Sequence, residues 1–380
     1  MKICAIICEY NPFHNGHCYQ LQEAKRLSGA DAILCIMSGN FVQRGEAAIM
    51  DKFTRARHAV LSGADVVIEL PTVFATSNAE LFAKGAIHIV SSIPEVTSLC
   101  FGCENAEKDI FLKTASLLNN EPKEVSEKIK TLTATGMSYA KARTEAWSAL
   151  LPSNLLTSPN NILGLEYTKA ILAKNLPIEI IPIQRLGGQY NDKELKQEFS
   201  SASAIRACIE SKTDTKGHLP IYVETDLPKC LENKLDALEK YTILTKSATD
   251  LQQICDCTEG LENAFIKAAT LSSTFAQSLT SARYTASRIR RIALHSLLNI
   301  TESFIRECLS APLYLRVLSA NKTREDVISV LSNTQVPLIT RAREEEKLSD
   351  IASRCYEIDS FAEKIHLLLY PNELNKKTFI

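Results

Sequence analysis

The hydrophobic pattern changes character along the chain. In the first half, short, mostly apolar runs recur at Ile3–Cys8, Ala32–Met37, Val66–Pro71, Leu99–Glu104 and Ile178–Ile183. Runs of this length without alternation are those of inner parallel strands, covered on both faces. Segments suited to helices lie between them, at Cys18–Leu27, from Asp51 onward, at Lys108–Leu118 and Pro122–Thr133 within a helical stretch over 106–150, and at Ile162–Ala173. Strand and helix alternating through short connections predict right-handed βαβ units around a parallel sheet. Ligands of such sheets lie at the carboxyl ends of the strands. His14, the Ser38–Glu46 loop and Gly102 therefore fall on one edge.

The pattern breaks at the polar segment Ser211–Gly217, and beyond Leu227 helical periodicity dominates, as in Leu251–Cys255, Leu261–Leu271, Ile289–Leu298 and Ile351–Leu369. The expected fold class is α/β: a Rossmann-like parallel sheet domain over residues 1–210, a linker over 211–227 and a mainly α-helical C-terminal region over 228–380. A chain of 380 residues has room for two or three such cores.

Composition narrows the class. Hydrophobic content of 45% with 23% charged residues is that of an ordinary globular protein. No apolar run approaches the roughly 20 residues that span a bilayer, and the N-terminus enters a strand at once, so no membrane association and a cytoplasmic address are expected. The net charge of −1 supplies no global attraction to nucleic acid, so any such site must be a local patch. Several of the twelve cysteines (Cys4, Cys8, Cys35, Cys100) fall inside strands and read as reduced, apolar-packed thiols. Cys100-x-x-Cys103 and Cys255-x-Cys257 have no partner pair at zinc spacing, and no protein-held metal is expected.

The candidate chemistry begins at His14-Asn15-Gly16-His17, between the first strand and the first helix. Pro12 keeps Asn11 extended, so the helix starts after it. A helix N-terminus offers free N–H groups and the positive end of a dipole to an anion, and Gly16 removes a side chain that would hold a phosphate away. Two imidazoles facing one spot can donate hydrogen bonds to phosphoryl oxygens as charge builds at an α-phosphorus. As plain turn residues they would only cap the helix.

Further residues gather on the same edge. Gly102 ends a strand, where a missing side chain lets a ring approach. Arg185 follows a strand, where a guanidinium fork suits a phosphate or an adenine edge. Asn160 and Asn161 open a helix after Pro159, and capping explains one of them. Ser203 and Arg206, in Ser201-Ala202-Ser203-Ala204-Ile205-Arg206, stand at a helix start, where the plain reading is a serine N-cap with a surface arginine. Lys52 and Arg55 share a helix face and are either solvated or turned toward substrate phosphates. His58, His88, His218, His295 and His366 show no partner spacing. Arg283, Arg288, Arg290 and Arg291 form the densest basic cluster, with Tyr284 among them and no acid from Ser281 to Ile300. Arg288, Arg291 and His295 share one helical face, and Ile289, Ile292 and Ala293 pack inward.

The strand-loop-helix segment resembles the HIGH-type signature of the nucleotidyltransferase superfamily, whose adenylyl-transferring members use both histidines on the triphosphate. Further motifs narrow it: Met37–Glu46, Asp51–Arg55, Val66–Pro71, Leu99–Glu104, Ser158–Tyr167, Gln184-Arg185, Ser201–Arg206 and Arg283–Arg288. In this order they resemble the tRNA(Met) cytidine acetate ligase family over close to the full length.

The resemblance implies a nucleotidyltransferase-like domain with His14 and His17 catalytic. It implies an ATP site made of Ile7, Cys8, Glu9, Tyr10, Asn11, Pro12, Phe13, His14, Asn15, Gly16, His17, Cys18, Tyr19, Gln20, Gly102, Asn160, Asn161, Arg185, Ser203 and Arg206, with Asn161 slightly preferred over Asn160. The family commonly has threonine where this chain has Ser203. Mg2+ is expected with ATP. Together with the acid-free run, the resemblance favours RNA-backbone binding by Arg283, Tyr284, Arg288 and Arg291. The implied reaction activates acetate as acetyl-adenylate and transfers it to N4 of the wobble cytidine of elongator tRNA(Met). No protein partner is implied. A small-molecule adenylyltransferase would share the phosphate chemistry but leave the helical extension unexplained, and a non-catalytic ATP-holding RNA-binding protein would not need His14, His17 and Arg206 intact.

Overall fold

The apolar runs assemble into one seven-stranded sheet of order β7-β6-β1-β2-β5-β8-β9. The computed structural model describes residues 1–137, 139–148, 150, 155, 158–186, 199–228, 234–341 and 343–370. Two residues of the expected helical stretch, 138 and 149, thus lie outside the described residues. β1 (Ile3–Cys8) lies parallel between β2 (Ala32–Ser38) and β6 (Val96–Cys103). β5 (Val66–Leu70) extends the parallel sheet beside β2, and β7 (Glu179–Gln184) beside β6. Every residue of β1, β2 and β5 is buried, the outcome that the apolar runs of β1 and β2 predict, and β5 is buried although it carries Glu69. Register brings Cys8 beside Met37, Ser38 beside Leu70 and Cys103 beside Gln184, so these carboxyl ends share an edge.

One strand of the sheet comes from an unexpected place. β8 (Leu315–Ala320), deep in the helix-rich C-terminal region, runs antiparallel to β5 and parallel to the short β9 (Leu338–Ile339). Its sequence, Leu-Arg-Val-Leu-Ser-Ala, is short, holds only one β-branched residue and lies among helical periodicities, so it does not stand out from its surroundings. Elsewhere that region is helical, including α5 (Ala286–Leu298) and α6 (Asp350–Leu369), and has a core of its own around Ile243, Leu251, Phe265, Phe275 and Ile292.

The two faces of the sheet bury alternate residues of each strand. Ile3, Ala5 and Ile7 join a core with Phe82, Leu165 and Tyr314, whereas Cys4, Ile6 and Cys8 pack with Leu21, Ala56 and Ile205 on the other face. The helices that matter for the site are α1 (Asn15–Ser28), α2 (Lys52–Leu61), α3 (Pro159–Ala173) and α4 (Ala202–Ser211). All described cysteines are unpaired thiols, buried except for the half-buried Cys18. No described helix is long and apolar enough to cross a membrane.

Lys52 and Arg55 are neither solvated nor turned to a substrate. Lys52 is 1% exposed and its Nζ donates to both Glu69 oxygens at 2.7 and 2.9 Å. Arg316 of β8 closes the network, bridging Glu69 at 3.1 Å and Glu363 of α6 at 3.2 Å. Arg55 is fully buried and donates to the carbonyls of Glu9, Ser38, Gly39 and Met50. Partners this distant in sequence satisfy charges that helix periodicity places on a surface.

A hairpin of β3 (Phe41–Val42) and β4 (Glu46–Ala47) leaves the sheet edge and meets α5. Its turn residue Gly45 has φ +72°, and a Cβ there would lie 2.5 Å from the Arg291 backbone nitrogen and 2.6 Å from the Arg290 carbonyl carbon. Arg290 fastens the contact, donating to the Arg44 carbonyl at 3.3 Å and pairing with Glu46 at 3.1 Å.

Candidate active site

His14 is the N-cap of α1, with extended backbone, so the loop after β1 hands over to the helix at the first histidine. The His14 N–H donates to His17 Nδ1 at 3.2 Å. That bond leaves the proton of a neutral His17 imidazole on Nε2, available as a donor. The two rings stack with centroids 3.6 Å apart, and Tyr10 lies against His17 at 4.7 Å. His14 is buried and its Nδ1 has no hydrogen-bond partner among the described residues. Burial, aided by the Arg185 and Arg206 guanidinium groups, pushes the His14 imidazole down to about 3. Burial, the His14 ring and Arg185 likewise push His17 well below the ordinary range. Both rings are therefore neutral donors near pH 7. Gly16 serves its neighbour more than a phosphate, since a Cβ there would lie 3.0 Å from His14 Cε1.

The histidines open into a cleft of about 1080 Å³, the solvent at its mouth included, bounded by the carboxyl ends of β1 and β6, the β3–β4 hairpin and the starts of α3 and α4. Arg206 donates to the Asn11 carbonyl at 2.7 Å and Ser203 Oγ at 3.3 Å, which ties α4 to the loop before His14. The Arg185 backbone N–H donates to the Cys103 carbonyl at 3.0 Å, and its side chain lines the cleft. At Gly102 a Cβ would meet nothing closer than Arg185 Cγ at 3.5 Å, so the protein itself does not require glycine there and the free space belongs to the cleft. One wall is apolar, built from Phe82, Phe101, Leu163 and Tyr167. Glu9 and Glu46 are the carboxylates among the described residues lining it.

Of the residues expected from the first motif, Ile7, Cys8, Glu9, Tyr10, Asn11, His14, His17 and Gln20 line this cleft, and Gly16 and Tyr19 line a smaller pocket beside it with Gly102, Arg185 and Phe199. Pro12, Phe13, Asn15 and Cys18 line neither. Phe13 is fully buried in the core, and Asn15 turns away to donate to the Gly217 carbonyl at 2.9 Å. The preference for Asn161 over Asn160 is reversed. Asn160 lines the cleft and donates to Glu104 at 2.7 Å, whereas Asn161 is fully buried, accepting from the N–H groups of Glu104 and Asn105 at 2.9 and 3.3 Å. The cleft also includes Val42, Gln43, Arg44, Phe82, Leu163, Tyr167, Ser201 and Ala202, which sequence reasoning did not place at the ligand. The hairpin residues stand in a polar loop on the right edge of the sheet, which was the available signal; the apolar ones look like core.

The basic cluster is less free than its sequence. Acids absent from its own helix arrive from a loop about thirty residues upstream. Arg283 and Arg288 pair with Glu259 at 3.2 and 3.6 Å, and Arg291 with Asp256 at 3.7 Å. The Arg291 side chain is only 11% exposed, against 62% for Arg283. Tyr284 lies between Arg283 and Arg288, whose guanidinium carbons are 5.5 and 5.3 Å from its ring centre. His295 does not share a solvent face with them: it is buried and hydrogen-bonded to Thr76 at 2.9 Å.

A model of the HIGH nucleotidyltransferases matches residues 1–379. The tRNA(Met) cytidine acetate ligase of Thermoanaerobacter sp. strain X514 is 39% identical, with 98% of this chain and 96% of that protein aligned. The ligase of the same name from Thermosipho africanus is 34% identical over 100% of this chain and 97% of its own length. Crystal structures of Thermotoga maritima TmcAL, 31% identical, superpose with TM-scores of 0.90 for an apo form and 0.87 for a form bound with alpha-thio ATP, each covering 98% of this chain and at least 95% of the other. With the histidine pair at a helix start, the cleft at the strand ends and relatives aligned nearly end to end, the chain belongs to the tRNA(Met) cytidine acetate ligase family of HIGH nucleotidyltransferases.

Proposed function

We propose that this protein is an ATP-dependent ligase that joins acetate to a cytidine of tRNA(Met). The observation that carries the reading is the pair of neutral imidazoles at the N-terminus of α1, facing a cleft ringed by Arg185, Arg206 and Ser203. ATP lies with its phosphates over His14 and His17, and the space at Gly102 beside Arg185 receives the adenosine. Acetate attacks the α-phosphorus, forming acetyl-adenylate and releasing pyrophosphate. His17 Nε2–H and the guanidinium groups stabilise the charge that develops on the phosphoryl oxygens. The N4 amine of the wobble cytidine of elongator tRNA(Met) then attacks the acetyl carbonyl, and AMP leaves. The enzyme works by positioning and electrostatics and needs no covalent intermediate.

Among the described residues no group of three or more His, Cys, Asp or Glu side chains is arranged to hold a metal. Mg2+ would accordingly arrive with ATP, held mostly by phosphate oxygens and water, and would neutralise triphosphate charge. The tRNA backbone runs over the C-terminal helical region, where Arg283 and Arg288 flank Tyr284; Arg291, mostly covered, contributes through Asp256 more than by direct contact. In this reading residues 1–210 form the catalytic unit, 211–227 the connection and 228–380 the tRNA-binding unit, and the protein works in the cytoplasm, where tRNA is modified. Exchange of labelled pyrophosphate into ATP tests the first half-reaction. Acetate-dependent exchange supports the proposal; exchange driven instead by a larger phosphorylated acceptor would favour a small-molecule adenylyltransferase.

A further inference from the structure

We infer that Glu9 receives the cytidine N4 amine and takes the proton that the amine loses during acetyl transfer, an inference resting on the proposal above that an acetyl-adenylate forms over His14 and His17. Glu9 directly follows β1, half-buried at the carboxyl edge of the sheet and lining the cleft between the histidines and the β3–β4 hairpin. Its Oε1 accepts the Gln43 N–H at 2.8 Å, which fixes the carboxylate against the hairpin. Glu46, the other carboxylate lining the described cleft, is paired with Arg290 at 3.1 Å and so is engaged with α5.

The charged groups around Glu9 come from three elements: Arg44 of the hairpin, Arg55 of α2 and Arg206 of α4. Arg55 spends its hydrogen bonds on backbone carbonyls, including that of Glu9 itself, and Arg206 on the Asn11 carbonyl and Ser203. They hold the chain around the carboxylate, and their charges favour its anionic form. His14 and His17, on the same cleft, are neutral and add no net charge. Burial raises the Glu9 carboxyl above its ordinary range against the pull of the Gln43 N–H and the three guanidinium groups. A carboxylate made more basic in this way is a better acceptor for an amine proton.

The recognition chemistry agrees. Cytosine presents an amino donor at position 4, which a carboxylate accepts, whereas uracil presents a carbonyl oxygen there, which a carboxylate repels. In the transfer step the N4 nitrogen forms a bond to the acetyl carbon and the bond from that carbon to the phosphate oxygen breaks. Its electron pair leaves with AMP. The N4 proton passes to Glu9 and from there to solvent. Glu9 thus both selects the base and removes the proton.

The test compares wild type, Glu9→Gln and Glu9→Asp in two assays on the same preparations: acetate-dependent pyrophosphate exchange, and single-turnover transfer of acetate from enzyme-bound adenylate to tRNA between about pH 5.5 and 8.5. Glu9→Gln is expected to lower transfer by about 10²-fold beyond any change in exchange and to lose the rise of transfer rate with pH, with Glu9→Asp intermediate. Transcripts with uridine at the acceptor position should compete better against Glu9→Gln than against wild type. If transfer and exchange fall in proportion, or the pH limb persists in Glu9→Gln, Glu9 acts only through the Gln43 contact and the inference is overturned. Absence of acetate-dependent exchange in the wild type overturns the underlying adenylate proposal instead.

Discussion

Substituting Gly45 tests whether the hairpin that lines the cleft is locked to the C-terminal helices. At φ +72° an alanine pays about 1–2 kcal/mol of left-handed strain. Its Cβ would also sit 2.5 Å from the Arg291 backbone nitrogen, and the obstacle is helix backbone, not the movable end of a side chain. Forcing atoms into a filled contact adds about 1–3 kcal/mol. The expected destabilisation of Gly45→Ala is thus about 2–5 kcal/mol. At about 2.1 cal/mol/K per residue, a cooperative melt of 380 residues would shift by roughly 3–6 °C. Gly29→Ala is the matched control, because Gly29 has φ +56° and nothing within 4 Å of the added carbon, leaving strain alone and a shift of about 1–3 °C. Differential scanning calorimetry of both variants gives the comparison. A Gly45→Ala shift no larger than that of Gly29→Ala would refute the claim that hairpin and α5 are in close backbone contact.

Other expectations follow from the same geometry. His14→Ala and His17→Ala should each lower acetate-dependent pyrophosphate exchange by about 10²-fold or more with unchanged circular dichroism, and near-normal exchange in both would remove them from the chemistry. Arg185→Ala should weaken ATP binding and leave tRNA affinity unchanged, as titrations of each ligand would show. Arg283→Ala with Arg288→Ala should lower tRNA affinity and flatten its salt dependence by roughly one unit of slope per lost phosphate contact, while Arg291→Ala, whose side chain is mostly covered, should act chiefly on stability. Burial, with Asp236 nearby, pushes the Glu239 carboxyl up to about 8, so its contribution is present in full below the ordinary carboxylate range and is lost as pH rises through about 8. Glu239→Gln should accordingly match wild type in denaturant melts near pH 4.5 and exceed it near pH 8.5; an unchanged difference between the two pH values would contradict this.

What the sequence makes legible is the part governed by local rules. Short, mostly apolar runs announce β1, β2, β5, β6 and β7, and a histidine pair beside a proline and a glycine announces the start of α1. The missed elements depend on distant partners. β8 is a strand because β5 offers it an edge, and its own six residues carry little signal. Lys52 and Arg55 have surface spacing but are buried, because Glu69, Glu363 and several carbonyls meet them there. The acid-free stretch around Arg288 gives a correct local composition and a misleading local charge, since Asp256 and Glu259 fold against it. Between Asn160 and Asn161 the difference is about one helical step, and only the position of the β6 loop decides which side chain reaches the cleft.

The central claim is most directly tested by incubating the purified protein with ATP, radiolabelled acetate and unmodified tRNA(Met), then digesting the tRNA to nucleosides. The account predicts label in N4-acetylcytidine, one AMP formed per acetyl group transferred, and no label when ATP is omitted or His17 is alanine. Label absent from cytidine while ATP is still split to AMP and pyrophosphate with acetate would contradict it.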